Sequence, residues 1–524
     1  MRSAHRIPFA VRLSVSVATL GLFVLRFGYD WGTSDQDEFL PLLLHLSNPD
    51  VLATDPFVTM QAADWSVRSA FVWLLHGLSA GVVPPGVVIL VVYILSWLSS
   101  ALAIARIASS FAVSEWAGIV SIPAALLVTM HWAPGGNDVV YSMLVPEMLA
   151  WSLGLWAVAL LASETPNAPL AGLLSGLATW LHVLAGLQTG GVILFWLLLR
   201  RSSLRLAPRF AATWLLISAA PTWLLLSGVG LGSDSTSILT HLRAPHHYLP
   251  QYVPSQDWLL FSALLAGGVI SLYRFPELIR RRPGRQGLAG LLAAPSILLL
   301  SGIVFVTLWP GGPWTPAQPM KLAVLVRVVS VIAISCVAAG LAEGRIEYFI
   351  PRFLRVAAHR VHIIAFIVLF AAGCLVAWSD YWKARALPRY STERVHLYTL
   401  FQDVRSHTPP DAVILIPPDW TGFQYASHRA QWVSFKAFPF QADAVIRWKN
   451  RLEYIGTPAN DLAGLAWRRE LAASYRHRSA SEWRRVLEKV DATHALLPEG
   501  RAPEPTQFCV HGWCLVELSR ILSP

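Results

Sequence analysis

Charge is what this chain has least of. Of its 524 residues only 14% are Asp, Glu, Lys or Arg, against about 25% in a soluble domain. Together with 55% hydrophobic residues and a mean hydropathy of +0.50, that deficit excludes an ordinary soluble globular protein. It is concentrated in the first 380 residues, which read as a polytopic α-helical membrane domain. Nucleotide-binding signatures are absent too. No Walker loop and no dinucleotide fingerprint occurs, so nothing suggests nucleotide-driven transport. There is no internal repeat and no low-complexity tract. No small-x-small cleavage site follows the first apolar run, so Arg2, Arg6 and Arg12 with that run read as an uncleaved first span, not a signal peptide. Cysteine is scarce, with four in the chain. Cys336 and Cys374 fall within apolar runs and read as core fillers. Cys509 and Cys514 flank Val-His-Gly-Trp and suit a short-loop disulfide if that segment lies outside the cytoplasm, with two unpaired thiols as the alternative. Such a bond requires Cα atoms about 4.4–6.8 Å apart.

What is present is a series of apolar runs and a tryptophan-rich composition, 23 in all, as expected for long membrane–water interfaces. A span needs about 20 apolar residues. The runs 8–28, 85–106, 115–133, 140–162, 169–183, 184–200, 207–228, 257–274, 287–309, 321–341 and 361–380 predict about eleven spans. The pair 169–200 is short enough to suggest a re-entrant hairpin around His182. The formal net charge of +10 does not imply nucleic acid, because its basic residues cluster in loops that the positive-inside rule explains. Arg200 to Arg209, Arg274 to Arg285 and Arg345 to Arg360 mark cytoplasmic loops, whereas Asp30 to Val67 contains no Lys or Arg. The expected topology therefore places a first outside loop at 29–68, the 229–256 loop outside, and the C-terminal region outside as well.

Residues 381–524 regain charge and lack any run long enough to span. They predict a small extracytoplasmic α/β domain, with strands at 412–416, 431–435, 493–497 and 514–518 and helices at 442–454 and 480–490.

Candidate chemistry centres on Asp35-Gln36-Asp37-Glu38, three carboxylates in four residues just beyond the first span. Acids packed this tightly repel one another and call for a metal, a proton or a cationic partner. In an extended segment Asp35 and Asp37 would face one side and could share a divalent cation such as magnesium or manganese. In a helical turn Asp35 and Glu38 would share a face instead. Asp50, Asp55 and Asp64 read as scattered loop acids. A second candidate is Arg243-Ala-Pro-His-His-Tyr-Leu-Pro250. Its Arg243, His246, His247 and Tyr248 form a donor-rich segment suited to phosphate oxygens. Adjacent histidine side chains tend to diverge, which argues against one metal gripped by both. The third set is Asn137, Asp138, Glu147, His182, Lys321 and Arg327, polar groups in or beside apolar runs. Groups of this kind are usually paired or functional. Lys321 and Arg327 could bind an anionic headgroup or merely snorkel.

This arrangement resembles the GT-C superfamily of membrane glycosyltransferases. Asp35-Gln36-Asp37-Glu38 matches the acidic motif after the first helix, Asp138 the second acidic position, and the amphipathic stretch 60–75, with Trp65 and Trp73, the interfacial helix. The segments Arg243-Ala-Pro-His-His-Tyr and Trp432-Val-Ser-Phe-Lys-Ala-Phe-Pro-Phe440 are similar to those of a bacterial membrane-protein subgroup whose activity the resemblance does not supply. It implies an inverting transferase in the bacterial inner membrane, using a polyprenyl-phosphate-linked sugar in cell-envelope glycan assembly. Asp35 or Asp37 would be the general base, and Arg243, His246 or Lys321 would face the departing phosphate. A divalent ion would be optional and the glycan, lipid or protein acceptor is left open. A transporter or flippase for a lipid-linked glycan, and a non-catalytic GT-C-like scaffold, remain as alternatives.

Overall fold

Apolar residues in the N-terminal two-thirds recur around whole helices, not on one stripe, as expected for helices enclosed by other helices or by lipid. The computed structural model of the protein describes residues 7–79, 81–229, 234–280, 284–310, 315–343, 392–456 and 462–522. Among these, six helices are long and apolar enough to cross a membrane: Phe9–Phe27, Pro85–Phe111, Ala207–Ser227, Ser255–Arg274, Gly284–Leu308 and Thr315–Ala342. Four other expected runs carry shorter apolar helices, at Trp116–Val128, Pro146–Leu161, Ala168–Leu181 and Val183–Leu199. The expected run at 361–380, the basic loop 345–360 and Cys374 lie outside the described residues. Cys336 is buried, as a core filler should be.

Two of the shorter helices fall short of the predicted limits for a local reason. Residues 140–145 are not helical, because Val145 takes the extended conformation favoured before a proline and Pro146 occupies the first helical position. Likewise, the run from 115 ends at Val128 in one wide π turn. The stretch between them is therefore a loop, and it carries Asp138.

The chain divides into two compact units: residues 1–29, 91–222 and 246–387 form one, and residues 30–90, 223–245 and 388–524 the other. In the first, Leu322–Ala342 is the most buried of the described membrane-length helices. Its membrane-length window is 89% buried, against 17% for Phe9–Phe27, which marks the latter as peripheral.

The second unit is built on a five-stranded sheet. Its strands are β1 (Val413–Leu415), β2 (Ala430–Gln431), β3 (His494–Pro498), β4 (Phe508–Val510) and β5 (Trp513–Glu517), in the order β2-β1-β3-β5-β4. β1 runs parallel to β2 and β3, and β5 runs antiparallel to β3 and β4. Alternation along the strands sends Leu415, Leu497 and Val516 to one face and Ile414, Leu496 and Leu515 to the other. The first face is covered by helices Ala442–Ile455, Gly464–His477 and Ala480–Leu487, the second by Thr392–His407. Ile238, Leu239 and Leu242 add to the first core.

Two expectations need correcting. The strand expected at 431–435 is confined to Ala430 and Gln431; beyond them the chain leaves the sheet as an irregular segment. The single interfacial helix expected over 60–75 is two helices, Pro56–Ala63 and Ser69–Ser79, separated by a break at 64–68. The first begins where Asp55 and Pro56 supply an N-cap and a first-turn proline, a start signal that an amphipathic pattern overlooks. The disulfide Cys509–Cys514 is formed, with Cα atoms 4.0 Å apart. That spacing is shorter than expected because the two cysteines are directly opposed across the β4–β5 hairpin, next to its closing pair Val510 and Trp513.

Candidate functional site

The acidic segment Ser34–Glu38 is a 3₁₀ helix. With three residues per turn, Asp35 and Glu38 align and Asp37 points elsewhere. Each acid has a different partner. Asp35 pairs with the Lys436 ammonium and Glu38 with the Arg68 guanidinium. Asp37 is only 4% exposed, and its Oδ1 accepts the Gly422 N–H at 2.9 Å. Burial pushes the Asp37 carboxyl from 3.8 up to about 7, against the pull of the Gly422 N–H and of the Lys436 and Arg468 charges and with the push of Asp35.

The local sequence explains this seating. Gly32 donates its N–H to Gln36 Oε1 at 2.7 Å, closing the turn on itself. Thr33 and Thr421 share a hydroxyl hydrogen bond at 2.6 Å, and Trp31 meets the Tyr425 ring edge-on at 5.4 Å. Gly422 has φ +80, and a Cβ there would lie 2.2 Å from the Gly32 carbonyl oxygen. Only glycine lets residue 422 approach closely enough to donate to Asp37.

Arg243 belongs to the same unit. Its Nη2 donates to the Lys436 carbonyl at 3.3 Å, and its guanidinium lies 4.9 Å from the centre of the Phe435 ring. Asp35 and Lys436 are thus ion-paired beside Asp37, with Arg243 on the Lys436 backbone. Lys436 lies in the segment 432–440 that the sequence singled out, but a lone lysine in an apolar motif gives no hint of its carboxylate partner.

Asp55, expected as a scattered loop acid, is a fully buried hub. Its Oδ1 accepts from Phe57 N and Val58 N, both at 3.0 Å, and its Oδ2 from Gln424 Nε2 at 2.6 Å and Gln431 N at 2.9 Å. Burial raises its pKa while these four N–H donors oppose the rise.

The remaining candidates lie in the first unit. Asp138 is 1% exposed and ion-paired with Arg327. Its carboxylate also accepts the His131 and Val139 N–H groups, each at 2.9 Å. Arg327 Nη1 donates to the carbonyls of Ala125 at 2.9 Å and Thr129 at 2.7 Å. Lys321 pairs with Glu147 at 2.8 Å, and Glu147 accepts from Trp151 Nε1 at 2.9 Å. Asn137 turns back on the Gly135 carbonyl at 3.0 Å. His247 Nδ1 donates to that same carbonyl at 2.6 Å, since a carbonyl can only accept. Gly135, at φ +86, would press a Cβ to 3.1 Å of Met320 Cβ and 3.3 Å of the His246 carbonyl. The rings of His246 and His247 do not diverge as expected; their centres lie 4.1 Å apart with the planes tilted by 41°. Tyr248 accepts a hydrogen bond from Gln318 Nε2. His182 breaks the helices Ala168–Leu181 and Val183–Leu199, and its Nδ1 caps the second by accepting from Ala185 N at 3.2 Å.

Among the described residues no group of three or more His, Cys, Asp or Glu converges as a metal-ligand set. Asp35 and Asp37, the suggested ligands, turn to different protein partners, so no step below is routed through a divalent ion.

The chain is similar over residues 396–455 to a family model described as a domain of unknown function, DUF6798. That stretch contains Gly422, Gln424, Gln431 and Lys436. No curated protein matches the chain.

Proposed function

We propose that the protein is a GT-C-like membrane glycosyltransferase that takes a sugar from a polyprenyl-phosphate donor in envelope glycan assembly. The observation that carries this reading is Asp37. A buried carboxyl with a pKa of about 7 is matched to general-base work at neutral pH, whereas an ordinary carboxylate is too weak a base. Asp37 would remove the proton of an acceptor hydroxyl as that oxygen attacks the anomeric carbon. Arg243, and Lys436 on exchanging its pair with Asp35, belong to the same unit and would take up charge on the departing phosphate. Lys321 is committed to Glu147 and Arg327 to Asp138, so both serve here as structural pairs.

The six membrane-length helices and four shorter apolar ones support a reading of about eleven spans, with the basic loops cytoplasmic. The Cys509–Cys514 disulfide supports an extracytoplasmic sheet domain. A non-catalytic scaffold is the second reading. One observation favours it, since Asp35, Asp37 and Glu38 each already have a protein partner.

Two measurements separate the readings. Mass spectrometry of lipids that co-purify with the protein should find an isoprenoid phosphate. In a transfer assay, Asp37→Asn should lower the rate by about 10²–10⁴-fold, and the wild-type rate should rise with pH through about 7, following the Asp37 carboxyl. Undiminished activity in Asp37→Asn removes Asp37 as the base and leaves the scaffold reading stronger.

A further inference from the structure

A cleft lies on the same unit, lined by residues remote in sequence from the acidic segment. The turn of the β4–β5 hairpin is His511-Gly512, with φ +52 and +79, the positive pair of a tight two-residue hairpin. Directly behind it the Cys509–Cys514 disulfide ties the two strands together. The residues at this clamped tip face a cleft of about 400 Å³, lined also by His396, Leu400, Trp420 and Arg476. That volume falls in the usual range for small-ligand sites, about 300–1,000 Å³.

The lining has a definite chemistry. Trp513 meets Trp420 edge-to-face at 4.5 Å, giving two apolar ring surfaces. The His511 ring stacks on His396 at 4.7 Å, nearly parallel at 8°. Arg476 is held by Asp419 at 3.1 Å through one of its nitrogens, which leaves further guanidinium donors in the same fork. Among the described residues no carboxylate lines the cleft itself. Aromatic surfaces beside a fork of cationic and imidazole donors suit a ligand with apolar C–H faces, many hydroxyls and a negative charge.

We infer that this cleft binds an anionic saccharide, its charge a carboxylate or a phosphate, and that the disulfide-clamped hairpin holds His511 and Trp513 ready for it. The inference does not rest on the transferase reading, because none of these residues belongs to the acidic cluster.

The test is calorimetric titration of the full-length protein in detergent with digalacturonate, mannose 6-phosphate and neutral cellobiose. One or both charged probes should bind about tenfold more tightly than cellobiose, the difference one charge-assisted contact makes. Digalacturonate and mannose 6-phosphate distinguish the two sources of charge. His511→Asn, which tolerates the left-handed turn, and Arg476→Gln should each weaken binding by about tenfold, while Asp37→Asn leaves it unchanged. The inference is overturned if both charged probes bind no better than cellobiose, or if His511→Asn and Arg476→Gln, with wild-type melting curves, bind as well as the parent.

Discussion

The two units handle buried charge in opposite ways. In the helical unit, Arg327 meets Asp138 and Lys321 meets Glu147, and each pair is supported by further hydrogen bonds, given to carbonyls by Arg327, to Asp138 by N–H groups and to Glu147 by an indole. Such charges are matched, and the low dielectric around them locks them in place. In the sheet-bearing unit, Asp37 is equally buried, yet its direct contact is a neutral N–H, and the nearby Lys436 is engaged by Asp35. A matched charge is a fastening. Asp37, in the field of Lys436 and Arg468 but without an ion pair of its own, has a carboxyl raised to about 7 and so able to change protonation near neutrality.

The largest effect should come from breaking a matched pair. Arg327→Met leaves the Asp138 carboxylate buried without its cation and should destabilise the protein by about 3–5 kcal/mol, read as loss of monodisperse protein and a lowered apparent Tm. If the variant is as stable as the parent, the pair is no fastening and the contrast fails.

Next comes Asp37. Its folded pKa of about 7 lies above the ordinary 3.8, so the fold favours the protonated carboxyl. Stability from this group is greatest below about pH 4 and falls as pH rises toward 7, by up to roughly 4 kcal/mol. Asn keeps an oxygen for the Gly422 N–H but does not ionise. Asp37→Asn should therefore raise the apparent Tm more at pH 8 than at pH 5. An equal change at both pH values would mean that Asp37 is as well compensated as Asp138.

The smallest effect should come from an ordinary partly exposed pair. Lys449 and Glu453 lie one turn apart on the helix Ala442–Ile455, at 2.7 Å. Glu453→Gln should cost only about 0.3–0.5 kcal/mol, a shift near the limit of a melting experiment. A larger loss would show that removing any charge from this unit is harmful, and would blunt the significance of Asp37.

Much of the fold was legible because apolar runs and strand alternation are local signals. Ten runs predicted as spans are helical, and β1, β3 and β5 fall within a residue or two of their predicted places. What escaped prediction was non-local. The acidic segment was conspicuous as a cluster, but its 3₁₀ geometry, and with it the burial of Asp37 in place of Asp35, depends on docking against Thr421 and Gly422. Asp55 looked like its neighbours Asp50 and Asp64 because the two glutamines that fill its second oxygen lie far along the chain. The helix Gly464–His477 was missed because its many polar residues hide the inward face of Trp467, Leu471 and Tyr475. The cysteine pair was legible because its partners are five residues apart.

One consequence concerns time. The sheet-bearing unit is assembled from three separated stretches of chain, and the Asp55 carboxylate bonds to Gln431, 376 residues later. At about 5–20 residues per second of synthesis, roughly 20–75 s pass before that partner exists. During this interval residues 30–90 must wait with one oxygen of Asp55 and the Asp37 carboxyl unsatisfied, while the helices encoded between them emerge. Biogenesis of this protein therefore has a built-in vulnerable window, open from the first loop until residues 421–431 have emerged.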